Sequence, residues 1–450
     1  MNDLLKDSAQ RAIHYLDSLP DRRVFPDQDA IDQLDKFDIP LPDEPTDPMD
    51  VLRELDTIGS PATVANAGGR YFGFVTGGAL PATVATNWLA TAWDQNSASF
   101  AGSPVTARLE AITLRWLLDI LQLPDGAGGG FVTGATMANF TALAAARHAL
   151  LAKAGWDVEA KGLYGAPEIK VVVSDEVHIS VLKALSLIGF GRERVTRVPV
   201  DGQGRMLADQ LPELDDMTLV CIQAGNVNTG SFDPAKAIIE QAKQAGAWVH
   251  VDGAFGLWAL ASPDYAHLAE GIPLADSWAT DAHKWLNIPY DGGLVFCRDS
   301  GHLKSAMAAM AAYLIDSGER EPSHYTPELS RRARGLDVWA ALRSLGKSGL
   351  AELIDRNCRL ARQFADGLRD AGYEVLNDVV LNQVLVKFGD ADTSKQIIND
   401  IQAEGTMWAG SSIWQGHIAM RISVSSWVTS EADVEQSLEA IIRIADGHTK

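Results

Sequence analysis

The stretch WVHVDGAFG, residues 248–256, decides the fold: a short apolar run ends at an aspartate and is followed at once by glycine. Such a run is typical of a buried strand in a parallel sheet. The candidate strands are Lys170–Ser174, Thr196–Val200, Leu219–Gln223, Trp248–Asp252, Ser277–Thr280 and Gly293–Cys297. Helical patterns lie between most of them, at Met137–Lys153, Ile179–Ile188 and Pro234–Ala245. This alternation predicts an α/β fold built on a mainly parallel sheet.

The flanking segments predict three parts. Residues 1–60 contain two helical patterns, near Leu4–Leu19 and Val51–Ile58, separated by a stretch rich in proline and aspartate. This segment is too short to bury a core alone, so we expect it to pack on another domain or subunit. Residues 61–330 form the large α/β domain. Residues 331–450 begin with a long helix and continue with the strand-like VVLNQVLVKF and HIAMRISVSS, which predict a smaller α+β domain.

Composition indicates a protein that acts on small molecules. The 450 residues include 38 basic and 59 acidic ones, a formal charge of −21, which disfavours nucleic acid and anionic membrane surfaces as partners. No stretch approaches the ~20 apolar residues of a membrane-spanning helix. Cys221, Cys297 and Cys358 form no Cys-x-x-Cys pair, so neither a disulfide framework nor a metal site is indicated. A cytoplasmic location is the prediction.

Asp252 and Lys284 carry the first chemical signal. A carboxylate at the end of a buried strand is unfavourable unless a positive or hydrogen-bonding group meets it. Lys284 stands in the bulky stretch HKWL, and burial of a lysine favours its neutral, nucleophilic amine. A lysine that forms imines and an aspartate that pairs with a pyridinium nitrogen are the two groups that pyridoxal phosphate needs. A buried salt bridge between Asp252 and Lys284 is the alternative.

A phosphate site is predicted upstream, in GGGFVTGATMANF. Gly134, Ala135 and Thr136 stand where a turn opens a long helix, and small residues let a phosphate approach the N–H groups of the helix N-terminus. An ordinary glycine-rich loop with Thr136 as the helix cap is the alternative. His178, in VVVSDEVHIS, follows another strand at the carboxyl edge where α/β sheets bind ligands. Its imidazole is suited to stacking on a flat cofactor and to proton transfer, and a helix-cap or core role is the alternative.

Together these motifs resemble the pyridoxal-phosphate-dependent group II amino acid decarboxylases, which include aromatic amino acid, glutamate, histidine and diaminobutyrate decarboxylases. The resemblance runs from about Pro61 to the C-terminal strands, and its most specific part is the signature around the lysine. The residues of this signature are Ser277, Trp278, Lys284, Trp285, Leu286, Tyr290, Val295 and Arg298. Gly292 departs from the pattern, because the family usually has cysteine or alanine there.

The resemblance implies an aspartate-aminotransferase-like fold (fold type I) with a sheet of the seven-stranded type, and pyridoxal 5'-phosphate as cofactor. It also implies a homodimer with active sites at the subunit interface. Lys284 would carry the cofactor as an imine, and Asp252 would bind the pyridine nitrogen. His178 and Ala254 would pack on the two faces of the ring. The other implied cofactor contacts are Gly134, Ala135, Thr136, Asn228, Thr280 and His283.

The same resemblance implies decarboxylation of an L-amino acid to its amine and CO2. Tyr71 and Phe72 match an aromatic pair that lines the substrate pocket, with a core role as the alternative. Tyr325, in the loop YLIDSGEREPSHYTPELSRRAR, matches the tyrosine that protonates Cα, with an exposed loop tyrosine as the alternative. Arg421 would bind a carboxylate, with a structural ion pair as the alternative.

The residues leave other reactions open. The cofactor also serves transamination, oxidative deamination and carbon–sulfur cleavage, and the geometry of the pocket decides which bond breaks. A catalytically silent relative with a binding role is the alternative from another class of protein.

Overall fold

The computed structural model describes residues 1–309 and 318–449. The helices of this part of the chain are α1 (Asn2–Ser18), α2 (Gln28–Asp32), α3 (Pro48–Glu54), α4 (Pro81–Trp93), α5 (Pro104–Ile120), α6 (Ala135–Lys153), α7 (Val158–Lys161), α8 (Ile179–Leu187), α9 (Ala235–Ala245), α10 (Ser300–Met307), α11 (Arg334–Asp370), α12 (Ala391–Glu404) and α13 (Glu431–Thr449). Its strands are β1 (Gly128–Val132), β2 (Lys170–Ser174), β3 (Val195–Val198), β4 (Thr218–Gln223), β5 (Trp248–Asp252), β6 (Ser277–Asp281), β7 (Gly293–Cys297), β8 (Glu374–Val375), β9 (Gln383–Lys387), β10 (Gly410–Trp414) and β11 (His417–Ser423).

The large sheet has seven strands in the order β1-β7-β6-β5-β4-β2-β3. Five neighbouring strands, from β6 to β3 in that order, are parallel, and β7 is antiparallel to both β6 and β1. The prediction of a mainly parallel sheet is therefore confirmed. The parallel strands read as continuous apolar runs because helices cover both faces of such a sheet. Every residue of β4 is buried, for example.

β1 was not among the strands predicted from the sequence, because its first three residues are glycines. The structure explains how they fit. A Cβ at Gly129 would lie 2.5 Å from the carbonyl oxygen of Val295 on the neighbouring β7, so the close pairing of β1 and β7 needs a residue without a side chain. The glycine-rich segment is thus an edge strand that leads directly into the predicted phosphate loop.

Helix α6 packs on the face of the sheet formed by β5, β6 and β7. Its alanines Ala138, Ala142 and Ala145 are fully buried in one cluster with Ala279 of β6 and Val295 of β7. Short side chains let the helix approach the sheet closely, because little volume stands between the two backbones. The helix begins two residues before the predicted Met137, which brings Ala135 into its first turn.

A buried ion pair holds β1 in place. The Arg331 side chain is 0% exposed and donates to the Glu110 carboxylate over 2.7 Å. Its other terminal nitrogen donates to the Phe131 carbonyl oxygen over 2.6 Å. Removal of one partner from such a pair costs about 3–5 kcal/mol, because the other charge stays buried.

The described residues form two compact units. One contains residues 1–78, 359–376 and 384–450, and the other contains 79–358 and 377–383. The first unit includes most of a four-stranded sheet in the order β10-β11-β9-β8. The long helix predicted near Arg332 is present as α11, broken at Gly346, whose φ of 62° is left-handed. The division at residues 60 and 330 stays a prediction. None of the described helices is both long and apolar enough to cross a membrane.

Candidate active site

Two aspartates end neighbouring strands of the large sheet. Asp252 is the last residue of β5 and Asp281 is the last residue of β6. The two strands are parallel, so both carboxylates lie at the same edge of the sheet. Both are buried, Asp252 with 4% and Asp281 with 2% of its surface exposed. Each charge must therefore be met by partners within the protein or by a ligand.

Asp281 is met by a lysine and by the start of helix α6. One carboxylate oxygen lies 2.8 Å from Nζ of Lys284. The other oxygen accepts the backbone N–H of Ala135 and lies 3.5 Å from Nε2 of His283. This cluster brings Lys284, His283 and Ala135 together. Lys284 thus forms its ion pair with Asp281 and not with Asp252, so the salt bridge considered from the sequence has the wrong partner.

Asp252 is met only by uncharged donors. Its carboxylate accepts from the Ala254 N–H at 3.2 Å and from Asn139 Nδ2 at 3.2 Å, and the Ser180 hydroxyl oxygen lies 3.4 Å away. In the described part of the chain, no lysine, arginine or histidine forms an ion pair with it. A buried carboxylate in this state favours a cation beside it, and a protonated pyridine nitrogen is such a cation.

Ala254 connects the two clusters. Its N–H donates to Asp252, and its carbonyl oxygen accepts the N–H of Asp281 over 2.9 Å. The Thr280 hydroxyl lies 3.4 Å from the same carbonyl oxygen. The structure therefore places Ala254 between Asp252 and Asp281, with the Thr280 hydroxyl beside it.

His178 caps the N-terminus of α8. Its Nδ1 accepts the backbone N–H of Ser180 at 3.2 Å and lies 2.7 Å from the Ser180 hydroxyl oxygen. The same hydroxyl reaches Asp252, so the histidine belongs to the Asp252 cluster. The helix-cap interpretation is confirmed, and stacking of the ring on a cofactor stays a prediction.

Gly134 is the cap of α6, and Thr136 lies inside the first turn, so Thr136 is not the helix cap. A Cβ at Gly134 would lie 3.1 Å from Cε1 of His283 and 3.3 Å from a carboxylate oxygen of Asp281. A Cβ at Gly293 would lie 2.5 Å from Cα of Gly134. The first N–H groups of a helix have no acceptor within the helix, so this turn has the chemistry of a phosphate site.

His283 is a neutral donor at this turn. Burial lowers its pKa, and the Gly292 N–H donates to its Nδ1 at 3.2 Å, which leaves the proton on Nε2. Its ring lies 4.4 Å from that of Tyr290. The unusual Gly292 also has a structural reason, because a Cβ there would meet the side chain of Ile288 at 2.5 Å.

Asn226 and Asp281 are buried polar residues at this sheet edge that the sequence reasoning did not name. Asn226 is 1% exposed, and its Nδ2 has no hydrogen-bond acceptor among the described residues. It follows β4 at the same sheet edge, and its Oδ1 accepts the N–H of Asn228, the predicted contact, at 2.8 Å. The usable signal was the one applied to Asp252, a polar residue at the end of a buried strand.

Tyr325 ends a short 3-10 helix, Pro322–Tyr325. The Arg320 guanidinium lies 4.3 Å from the centre of its ring, and the ring packs against the buried cluster that contains Val132 and Leu303. Its role as proton donor stays a prediction. Part of the predicted mobile loop, residues 313–317, lies outside the described residues.

The three predicted substrate residues belong to the first unit. Tyr71 stacks on Trp408 with ring centres 5.2 Å apart, and Phe72 packs edge-on against Phe364 at 4.9 Å. Arg421 lies in β11, and burial lowers its pKa. Its Nε has no partner, and it forms no ion pair with the described residues. The substrate roles of these residues stay predictions.

Comparisons with known proteins identify the class of protein to which this chain belongs. The model of the pyridoxal-dependent decarboxylase conserved domain matches residues 32–388. An aromatic-L-amino-acid decarboxylase from Bacillus atrophaeus is 29% identical over 404 residues, 86% of this chain and 82% of the relative. An aspartate 1-decarboxylase from Aliivibrio fischeri is 33% identical over 260 residues, 54% of this chain and 47% of the relative. The crystal structure of Oryza sativa TDC with PLP and tryptamine has a TM-score of 0.91 at 22% identity, covering 100% and 98% of the two chains.

The fold is therefore that of the pyridoxal-phosphate enzymes of fold type I, as predicted. The chain belongs to the pyridoxal-dependent decarboxylase family, whose model matches most of its length. Its activity is decarboxylation of an amino acid with pyridoxal phosphate as cofactor. The described residues fit that group at both ends, since Asp252 lacks a cation and the N–H groups of Thr136 and Met137, which follow the Ala135 N–H bonded to Asp281, have no acceptor within the helix. Among these residues, no set of three or more histidines, cysteines and acids could hold a metal ion.

We expect Gly293→Ala to weaken binding of pyridoxal 5'-phosphate about tenfold, or about 1.4 kcal/mol. The added Cβ would clash with the backbone of Gly134, which cannot rotate away as a side chain can. Gly126→Ala is the matched control, because nothing lies within 4 Å of a Cβ at Gly126. The dissociation constant, measured by fluorescence titration, checks this. Equal affinities of the two variants would contradict the phosphate assignment.

His250 lies on the same face of β5 as Asp252, because side chains of a strand alternate between its two faces. It is fully buried, with Nε2 at 2.9 Å from Asn139 Oδ1 and Nδ1 at 2.9 Å from the Ser277 hydroxyl. Burial lowers its pKa to about 3. The imidazole is consequently neutral in the folded protein at neutral pH.

This lowered pKa predicts a pH dependence of stability. Below about pH 6.5 the unfolded chain binds a proton at His250 that the folded chain does not bind, so stability falls as the pH falls. From pH 7 to pH 5 the loss is about 2 kcal/mol. Denaturant unfolding of cofactor-free wild type and His250→Gln at both pH values measures it. Over this pH range His250→Gln should lose about 2 kcal/mol less of its free energy of unfolding than wild type. Asp252 and Cys221, the titratable groups beside His250, remain in both proteins and contribute equally. Identical losses would show that His250 is not buried as a neutral ring.

Proposed function

We propose that this chain decarboxylates an L-amino acid, with Lys284 as the lysine that binds pyridoxal phosphate and Asp252 as the partner of the ring nitrogen. The observation that carries this proposal is the Asp252 carboxylate, buried at the end of β5 and met only by uncharged donors among the described residues. Lys284, three residues after the end of the next strand, completes the pair of groups that the cofactor needs.

Each residue near the sheet edge has a proposed task. When bound, pyridoxal phosphate accepts the electron pair that the departing carboxylate leaves at Cα. Asp252 would hold a positive charge at the ring nitrogen, which is preorganised electrostatic stabilisation. His283 would donate through Nε2 to the phosphate, beside the first N–H groups of α6. Asp281 would hold the Lys284 ammonium at the sheet edge until the cofactor arrives.

An aromatic side chain is the substrate class that we propose. The support is the Bacillus atrophaeus relative, which is named for aromatic amino acids and aligns with 86% of this chain. The relative named for aspartate has higher identity but aligns with only 54% of the chain. Substrate choice depends on residues from several parts of a chain, so the longer alignment carries more weight here.

A reaction assay tests the activity and the lysine together. Wild type incubated with a panel of L-amino acids and pyridoxal phosphate should release CO2 and the matching amine, fastest with an aromatic substrate. Lys284→Ala should lose at least about a thousandfold in rate, because the nucleophile is gone. Lys170→Ala is the control: this lysine is also ion-paired, with Asp215, but its side chain is 57% exposed.

The products decide between the reactions. Oxo acid without CO2 would favour transamination or oxidative deamination, and fastest turnover of aspartate would overturn the aromatic assignment. Borohydride treatment of the holoenzyme should fix a pyridoxyl group on Lys284, identified by mass spectrometry of the peptides. Its absence from Lys284 in wild type would end the proposal.

We also propose that the enzyme is a cytoplasmic homodimer. The free, buried Cys221, Cys297 and Cys358 are compatible with a reducing compartment. Helix α4 leaves Trp88 and Trp93 45% and 46% exposed, which is unusual for large aromatic side chains unless another chain covers them.

Light scattering behind size-exclusion chromatography should give twice the mass of 48.4 kDa. Trp88→Lys should shift the protein toward the monomer, because it places a charge in an apolar interface. Tyr164→Lys serves as the control, because it adds the same charge at an exposed aromatic side chain outside α4. A monomeric wild type at micromolar concentration would refute the dimer.

A further inference from the structure

A continuous line of hydrogen bonds runs from Trp248 to Asp252 beneath the site. Trp248 Nε1 donates to the Ser277 hydroxyl at 3.0 Å, and that oxygen lies 2.9 Å from His250 Nδ1. His250 Nε2 lies 2.9 Å from Asn139 Oδ1, and Asn139 Nδ2 donates to Asp252 at 3.2 Å. Ser277, His250 and Asn139 are all fully buried. We call these five side chains the Asp252 relay.

The two ends of the relay set the direction of every bond in it. An indole N–H can only donate, so the Ser277 oxygen accepts from Trp248 and turns its own proton toward His250. A carboxylate can only accept, so Asn139 presents its NH2 group to Asp252 and its oxygen to His250. Nε2 of the histidine must then carry the proton. Burial lowers the pKa of His250 to about 3, which agrees with a ring that carries one proton.

Asn139 is also a branch point. Its NH2 group has two hydrogens, and Nδ2 lies 3.2 Å from Asp252 and 3.3 Å from the Ser180 hydroxyl oxygen. That hydroxyl is 2.7 Å from Nδ1 of His178. The Asn139 amide therefore bonds to His250 through its oxygen, and its nitrogen contacts both the Asp252 carboxylate and the Ser180 hydroxyl.

We propose that Asn139, oriented by His250 and Ser277, is a positioning residue that aims Asp252 at the cofactor ring nitrogen and sets the Ser180–His178 pair. This inference rests on the proposed function. The donors that converge on Asp252 fix the direction of its carboxylate, and a carboxylate aimed at the ring nitrogen can hold a positive charge there. Because Ser277, His250 and Asn139 are fully buried and each bond of the relay has only one possible direction, the carboxylate keeps one orientation.

Three variants on helix α6 test the relay. Asn139→Leu removes both donors, and the dissociation constant of pyridoxal 5'-phosphate should rise about 10- to 100-fold, as expected when a buried hydrogen bond to a charged group is lost. Asn139→Asp keeps the shape but places a second carboxylate beside Asp252. Thr141→Val is the control, because Thr141 is equally buried on the same helix and its hydroxyl donates, among the described residues, only to the Met137 carbonyl oxygen.

The pH dependence separates positioning from a general structural role. Asn139→Asp should bind the cofactor more tightly as the pH falls from 8 to 6, because protonation of one of the two carboxylates removes their repulsion. Wild type and Thr141→Val should not share this trend. Affinities come from quenching of tryptophan fluorescence, and melting of the cofactor-free proteins reports on folding. An Asn139→Leu affinity within twofold of wild type, or an Asn139→Asp profile like that of wild type, overturns the inference.

A second pair of variants serves if the Asn139 variants do not fold. His250→Gln retains an N–H donor for the Asn139 oxygen, and His250→Leu does not. We expect the glutamine variant to bind pyridoxal 5'-phosphate at least about fivefold more tightly than the leucine variant, and equal affinities overturn the inference. Failure of wild type itself to bind pyridoxal phosphate would instead refute the proposed function.

Discussion

A carboxylate buried at the end of a strand needs compensation, and two neighbouring parallel strands of this protein each bury one. Asp281 is compensated by Lys284 and by the first N–H of α6. Asp252 has only uncharged donors within the described residues. The two aspartates therefore have different roles at the sheet edge. Asp281 already holds the reactive Lys284, whereas Asp252 favours a cation that comes with a ligand.

Helix α6 links the two ends of the site through one rigid element. Its first turn forms the predicted phosphate site, and Asn139, one turn later, contacts Asp252. A helix rises about 1.5 Å per residue, so the distance between these two points is set by the backbone. The alanines that let α6 approach the sheet are therefore part of the site, because they bring Asn139 within hydrogen-bonding distance of β5.

The sequence predicted the strands and residues of the site better than the hydrogen bonds and ion pairs between them. β5 and β7 have the predicted bounds, and Lys284, Asp252, His178 and Gly134 all lie at or near one sheet edge. β1 was missed because glycine has low strand propensity, and only its pairing with β7 explains the three glycines. The Asp252 relay was missed because hydrogen bonds between distant residues leave no local pattern. The Asp281–Lys284 pair spans only three residues, and it was missed because the predicted strand ended at Thr280, one residue before Asp281.

The sequence by itself determined the alternation of strands and helices, the lysine signature and the polar residues that end buried strands. These depend on local periodicity and on the cost of burying charge, both of which can be read along one segment. Only the tertiary structure decided which aspartate pairs with the lysine and which way the Asn139 amide points. Hydrogen-bond direction depends on partners from separate elements, and Asn139, His250 and Asp252 meet only after α6 has packed on the sheet.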